Sequence, residues 1–418
     1  MMSTKNPEMN KKIVVIGAGA AGMLAAGTAA ACGADVILLE KNPYPGKKLN
    51  ITGKGRCNVT NNCDLDELLA NIPKNGRFMY SSFALLTPQN MMEFLENLGV
   101  RLKTERGYRV FPESDNAKEI TDALVKYLKK NGAKICKDEV LELLVSDGAI
   151  TGVRGKEKEY TCDSVIVATG GISYPLTGST GDGYKFAMSC GHKVNEPQGS
   201  LVPLVGEERL CKSAQGLTLK NVTLSAFNQK GKVIFSELGE MLFTHFGLSG
   251  PLVLSASAHM RDFEKDKYYV CIDLKPGLTP EKLEERILRD IEEKKNKDMH
   301  NLLRGLLPSG IIPIVLEKAG VESSVKANSL TKENRRKLRD TMKALRIDID
   351  KKRPVSEAIV TSGGVDVKEI NPKTMESKKI SGLYFAGEVL DVDAYTGGFN
   401  LQIAWSSGYS AGYNAAQK

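Results

Sequence analysis

Four branched aliphatic residues, Ile13-Val14-Val15-Ile16, follow a polar start and end at Gly17. A short β-branched run of this kind predicts a buried parallel strand. The Ala-rich stretch behind it predicts a helix to about Cys32, closed by Gly33, and residues 35–39 predict a second strand that ends in Glu40. Residues 164–168 and 383–386 repeat the buried-strand pattern, and each runs into glycine. From about 196 to 273 the apolar positions alternate instead. Residues 217–227, 232–235 and 268–274 read as antiparallel strands. Thr279-Pro280 then opens a helix, with Leu283, Ile287 and Ile291 as its apolar stripe. The helical pattern continues to about Leu345, and Ile359-Val360-Thr361 leads back toward the first pattern.

The chemistry sits where these strands meet glycine. Gly17-Ala18-Gly19-Ala20-Ala21-Gly22 is a complete G-x-G-x-x-G between a strand and a helix. Gly17 permits the turn, Gly19 lets backbone approach a pyrophosphate, and Gly22 lets helix and strand pack closely. The helix start offers its N–H groups to the phosphates, through Ala20 and Ala21. Glu40 is placed to accept from ribose hydroxyls, with Lys41 beside it. Strand, loop, helix, strand and acid in this order predict a dinucleotide site. An open Rossmann sheet gathers its ligand at the carboxyl ends of its strands, so Thr169-Gly170-Gly171 and Gly387-Glu388 can reach the same ligand. The pairing of Ala168-Thr169-Gly170 with Gly387-Glu388 resembles the two-dinucleotide-binding-domain flavoproteins and points to FAD. Gly398, Asn400 and Leu401 lie at a closing helix start that can face the flavin.

Composition narrows the picture. Hydrophobic residues make up 41% and charged residues 26% of 418, which excludes a largely disordered chain. The net charge of +8 is mild for that length. The eight cysteines form no C-x-x-C pair, which argues against a zinc module or a dithiol redox site, so no metal is expected. Residues 13–34 carry no charge, yet five glycines interrupt them, so neither a membrane span nor a signal peptide is expected. A cytoplasmic setting with reduced thiols follows as an expectation.

Residues 46–61, 105–117, 168–183, 241–251 and 387–408 together resemble the BaiN-type family of bacterial NAD(P)/FAD-dependent oxidoreductases, whose members include bile-acid reductases. Many relatives carry glycine where this chain has Lys54. The resemblance implies an α/β fold: a Rossmann-type FAD-binding domain with an inserted β-rich domain and a small helical insert. The expected boundaries are 1–195 and 354–418 for the FAD-binding domain, 196–275 and 340–353 for the β-rich domain, and 276–339 for the helical insert.

The loop 46–61 can run along the FAD. Lys47, Lys48 and Arg56 are expected partners for phosphate or flavin anion, and Cys57 and Asn58 are counted with the cofactor set. Cys57 and Cys63 have no metal-site spacing. No second G-x-G-x-x-G unit is evident, so NADH or NADPH is expected as a transient donor that leaves before substrate enters. Tyr108, Arg109, His245 and Tyr395 are candidate proton donors or substrate anchors, in a site expected between domains. The favoured reaction is reduction of a conjugated C=C next to a carbonyl, on a steroid-like or other apolar small molecule, which the resemblance motivates. One rival is an amine or amino-acid oxidase using O₂. Another is an RNA- or protein-associated flavoprotein using the basic segment 326–353, where 11 Lys or Arg face 4 Asp or Glu. No aromatic residue interrupts that segment, so a solvated helix face is the simpler reading and no nucleic-acid partner is expected. The sequence leaves the oligomeric state open.

Overall fold

The computed structural model describes residues 10–417. Residues 1–9 and 418, at the two ends of the expected FAD-binding domain, lie outside the described residues. The chain forms two compact units: one contains the residues up to Ser200 and those from Ile359 on, and the other spans Leu201–Ala358.

The first unit is built on five parallel strands. They are β1 (Lys12–Ile16), β2 (Asp35–Glu40), β3 (Lys134–Lys137), β4 (Ser164–Val167) and β5 (Leu383–Phe385), in the order β5-β4-β1-β2-β3. Ile13, Val14, Val15 and Ile16 are all buried, as a strand covered on both faces requires. Between β1 and β2 runs α1 (Ala20–Ala31), whose small residues are buried along most of its length. The last helix, α2 (Phe399–Gln417), packs on α1. That contact is made backbone to backbone: a Cβ at Gly408 would run into the Ala21 carbonyl, and one at Gly412 into the Ala25 carbonyl. Two short antiparallel sheets and the ribbon of Val194–Ser200 with Val360–Val365 complete this unit. The expected boundary after residue 195 falls inside the first strand of that ribbon.

The second unit holds a seven-stranded antiparallel sheet. Its longest strands are Thr218–Asn228 and Val233–Thr244; the latter runs well beyond the expected 232–235. The helix Pro280–Glu293 starts as expected, with the Thr279 hydroxyl accepting from the Lys282 N–H at 3.3 Å. The basic segment forms the helix Lys332–Lys343 and the edge strand Leu345–Ile349. Much of its charge is met locally: Arg335 pairs with Glu284 at 2.6 Å, Lys343 with Asp273 at 2.6 Å, and Lys337 with Glu333 at 2.7 Å. No helix among the described residues is long and apolar enough to cross a membrane.

Candidate cofactor and substrate site

The three strand–glycine junctions of the first unit abut one another. Gly17 takes φ +100°, open to glycine alone at low cost, and a Cβ there would lie 2.6 Å from the Ala168 carbonyl oxygen. A Cβ at Gly22 would overlap the Gly17 carbonyl, and one at Gly387 would sit 2.9 Å from the Ala21 side chain. The Gly387 N–H donates to the Ser407 hydroxyl at 2.9 Å, so α2 fastens the third turn directly over α1. Nothing lies within 4 Å of a Cβ built at Gly19. No side chain caps α1 and its first turn has no acid, so its N–H groups face an open position.

These residues fit an FAD diphosphate, with Gly17, Gly19, Ala20, Ala21 and Gly22 as its cradle. Glu40 closes the loop from the other side. Its carboxylate accepts from the Ala18 N–H at 2.7 Å, the Asn42 N–H at 2.8 Å and the Asn42 amide at 2.7 Å. Three of its roughly four lone-pair positions are used, which leaves one for a ribose hydroxyl. Lys41 does not face the loop: it pairs with Asp182 at 2.5 Å and with the Thr180 hydroxyl. Among the buried oxygens without a partner, both Thr169 Oγ1 and Asn58 Oδ1 lie at this site, the first beside the second turn and the other in the loop 46–61. Both are available to a bound group.

Glu388 and Lys48 join the third turn to the loop 46–61. Lys48 Nζ meets a Glu388 oxygen at 2.7 Å and the Ser173 hydroxyl at 2.8 Å. The other Glu388 oxygen accepts from the Thr361 N–H at 2.8 Å and from Ser173 at 3.0 Å. Burial opposes the Glu388 charge, but Lys48 and these donors outweigh it and hold the carboxyl below its ordinary range. A Cβ at Gly171 would lie 3.2 Å from the same carboxylate. Lys47 is half-buried, and among the described residues no hydrogen bond or ion pair engages its side chain.

Beyond Lys48 the loop winds left-handed, with Gly53, Lys54, Gly55 and Cys57 all between φ +57° and +85°. Alternation of such residues with right-handed ones turns successive N–H groups to one side and makes an anion-binding concavity. Cys57 is fully buried, and burial pushes its thiol up to about 12, which makes it an inert packing group. Arg56 turns away from this concavity: it is ion-paired with Glu105, meets Asp115 at 2.7 Å and covers the Phe111 ring at 4.0 Å. The far end of the loop is pinned by α2. Trp405, the sole tryptophan, donates to the Val59 carbonyl at 2.9 Å, and the Thr60 hydroxyl donates to Gln402 at 2.7 Å. A Cβ at Gly398 would run into the Thr60 carbonyl.

Asn61 ties two candidate segments together. Its amide nitrogen donates to the Gly107 carbonyl at 3.0 Å and the Gly397 carbonyl at 3.1 Å. Tyr108 and Arg109 follow the first, and Tyr395 and Asn400 flank the second. The Asn400 amide donates to the Ala394 and Tyr395 carbonyls and accepts from the Ala394 N–H, so it staples the loop in front of α2 instead of pointing out of it. Leu401 is half-buried at the start of that helix. His245 belongs to the second unit, in the turn after Val233–Thr244, with its ring edge-on to Phe246 at 5.0 Å.

Residues 11–414 match the family described as the HI0933-like protein Rossmann domain. The chain belongs to that family. This HI0933-like chain is 33% identical over 412 residues to the ribosomal RNA dihydrouridine synthase of Haemophilus influenzae, which covers 97% of this chain and 98% of that protein. It is 30% identical over 412 residues to the 3-dehydro-bile acid delta(4,6)-reductase of Clostridium scindens, covering 97% and 99%. The second relative bears out the resemblance to the BaiN-type family. A solved structure of the 3-ketosteroid delta1-dehydrogenase from Sterolibacterium denitrificans shares the fold, with a TM-score of 0.52 at 13% identity, over 97% of this chain and 100% of that one. The HI0933-like chain is a flavoprotein oxidoreductase with a Rossmann FAD-binding fold.

Several members of this arrangement escape sequence reasoning. Ser173, Thr361, Asn61, Ser407 and Gln402 act through contacts with residues distant in sequence, and a single Ser, Thr or Asn carries no signal of that. The Gly408 and Gly412 contacts with α1 depend on a helix distant in sequence and leave no local signal.

Proposed function

We propose that this chain uses FAD and NADH or NADPH to reduce a carbon–carbon double bond conjugated to a carbonyl, in a cytoplasmic setting. The observation that carries this reading is the convergence of the three glycine turns on the open N-terminus of α1, from which the loop 46–61 leads to Tyr395. The relatives supply the reaction class. Formation of dihydrouridine saturates a C=C conjugated to the uracil carbonyl, and a delta(4,6) bond beside a 3-dehydro carbon is conjugated in the same way. FAD, when bound, supplies the hydride chemistry.

The chain supplies binding, charge and a proton. Gly17, Gly19 and the first turn of α1 would hold the diphosphate, and Glu40 would hold the ribose. Thr169, Gly170, Gly171 and Gly387 would lie along the cofactor between them, and the left-handed backbone at 53–57 would receive the flavin. The Lys48–Glu388 pair ties the third turn to the loop 46–61. Hydride addition at the β-carbon requires a proton at the α-carbon, and Tyr395 is the donor in this reading. Its backbone is fixed by the Asn71 carbonyl, which accepts from the Tyr395 N–H at 3.0 Å, and by Asn400.

Anaerobic stopped-flow tests the reading. NADH or NADPH is expected to bleach the flavin, and an enone to restore its colour faster than buffer does. Tyr395→Phe is expected to slow the enone step by about 10²-fold and leave bleaching by the nicotinamide unchanged. Bleaching by amines with reoxidation by O₂ alone would favour an oxidase.

A further inference from the structure

Asn61 is 4% exposed and firmly held. Its backbone lies in the short strand Thr60–Asn61, paired with Val110 and Arg109. Its amide nitrogen spends both N–H groups, one on the Gly107 carbonyl at 3.0 Å and one on the Gly397 carbonyl at 3.1 Å. Two carbonyl partners settle which end of the amide is nitrogen, because an oxygen there could donate to neither. The Oδ1 atom is thereby locked in place, buried and without a donor. An unmet buried acceptor is costly, and a native fold keeps one where a further group completes it. Asn58 Oδ1, in the same loop, is another.

Two acceptors in one loop match the hydrogen-bonding edge of an isoalloxazine. That edge carries one permanent N–H, at ring position N3. It gains a second at N5 when NADH or NADPH transfers a hydride: an N–H bond forms there, the flavin becomes its anionic reduced form and the nicotinamide is left oxidised. Asn61 is the acceptor tied to Gly397, in the loop of Tyr395. A proton from Tyr395 must reach the carbon beside the one that takes hydride from N5, so Asn61 belongs with N5 and Asn58 with N3.

We infer that Asn61 Oδ1 accepts from the N5–H of reduced FAD and so raises the reduction potential of the bound flavin. This rests on the reductase reading above and assigns that site a residue that sets its potential. Oxidised N5 bears a lone pair, which an amide oxygen repels; reduced N5–H meets it as a donor. The N5–H bond lies near the ring plane, so its acceptor leaves both faces open to nicotinamide and substrate.

The test is the midpoint potential of the FAD-loaded full chain, measured anaerobically against reference dyes. Asn61→Ala is expected to lower it by about 30 mV, the two-electron equivalent of a hold on reduced flavin about tenfold weaker relative to oxidised. Asn58→Ala is expected to weaken FAD binding about tenfold in both oxidation states and leave the potential unchanged. Gln89→Ala removes a different amide clamp, on the Cys63 carbonyl at 3.0 Å, and is expected to change neither. A second measurement needs no variant. With nitrogen-15 at N5, the reduced wild type is expected to show an N–H doublet that exchanges slowly with water. A wild-type potential in Asn61→Ala would overturn the inference, as would an equal fall in Gln89→Ala or a fall confined to Asn58→Ala. If Asn61→Ala retains no FAD, the doublet decides: its absence overturns the inference and its presence supports it. Enone reduction with an unshifted potential would remove the inference and keep the reductase reading. The expected shift and doublet in a chain that reduces no enone would support the inference and remove that reading.

Discussion

Lys48 and Glu388 stand 340 positions apart in sequence, yet their charged groups meet at 2.7 Å with both side chains about one-fifth exposed. Sequence reasoning gave Lys48 a phosphate or flavin anion and placed Glu388 within reach of the same ligand; in the fold the two side chains also meet each other. Removing one partner leaves the other charge desolvated. Glu388→Gln is expected to cost about 2 kcal/mol or more in urea unfolding, with much of the loss absent when Lys48→Met is added. The pH dependence has a definite sign. A carboxyl held low stabilises the fold fully above its ordinary range and loses that contribution as pH falls through its folded-state value. The acid limb of the stability curve is therefore expected to be shallower in Glu388→Gln than in wild type. Lys54 shows a different residue-scale effect: at φ +60° it occupies a position where glycine is at ease.

At the scale of elements, the pair α1 and α2 carries the site. α1 supplies the phosphate-binding end, while α2 sets the Gly387 turn through Ser407 and the loop 46–61 through Trp405 and Gln402. Gly408→Ala would push a methyl group into the Ala21 carbonyl. It is expected to cost about 1–3 kcal/mol and to weaken FAD retention, whereas Gly33→Ala, with open space around its Cβ, is expected to spare FAD retention. Thermal melting with measured flavin content checks both. Most of the parallel sheet was legible, because buried strands and their glycine turns are local signals. The edge strand Lys134–Lys137 was not, since a KICK segment has no distinguishing period. The phosphate end of the site was legible for the same local reason. The left-handed backbone at 53–57 and the bridging role of Asn61 depend on tertiary contacts and left no trace in spacing.

At the scale of the whole molecule, one polypeptide brings junctions from residues 17, 170 and 387 to a single place in its first unit. The second unit interrupts that unit between Ser200 and Ile359 without separating the parallel strands on either side. If the open N-terminus of α1 grips a diphosphate, the chain must distinguish flavins by that group. Equilibrium binding of FAD, FMN and riboflavin to deflavinated protein, read by quenching of flavin fluorescence, examines this. The expected result is one FAD per chain, bound at least a hundredfold more tightly than FMN or riboflavin, on the order of what two phosphate contacts provide. Equal affinity for all three flavins, or none for any, would contradict it.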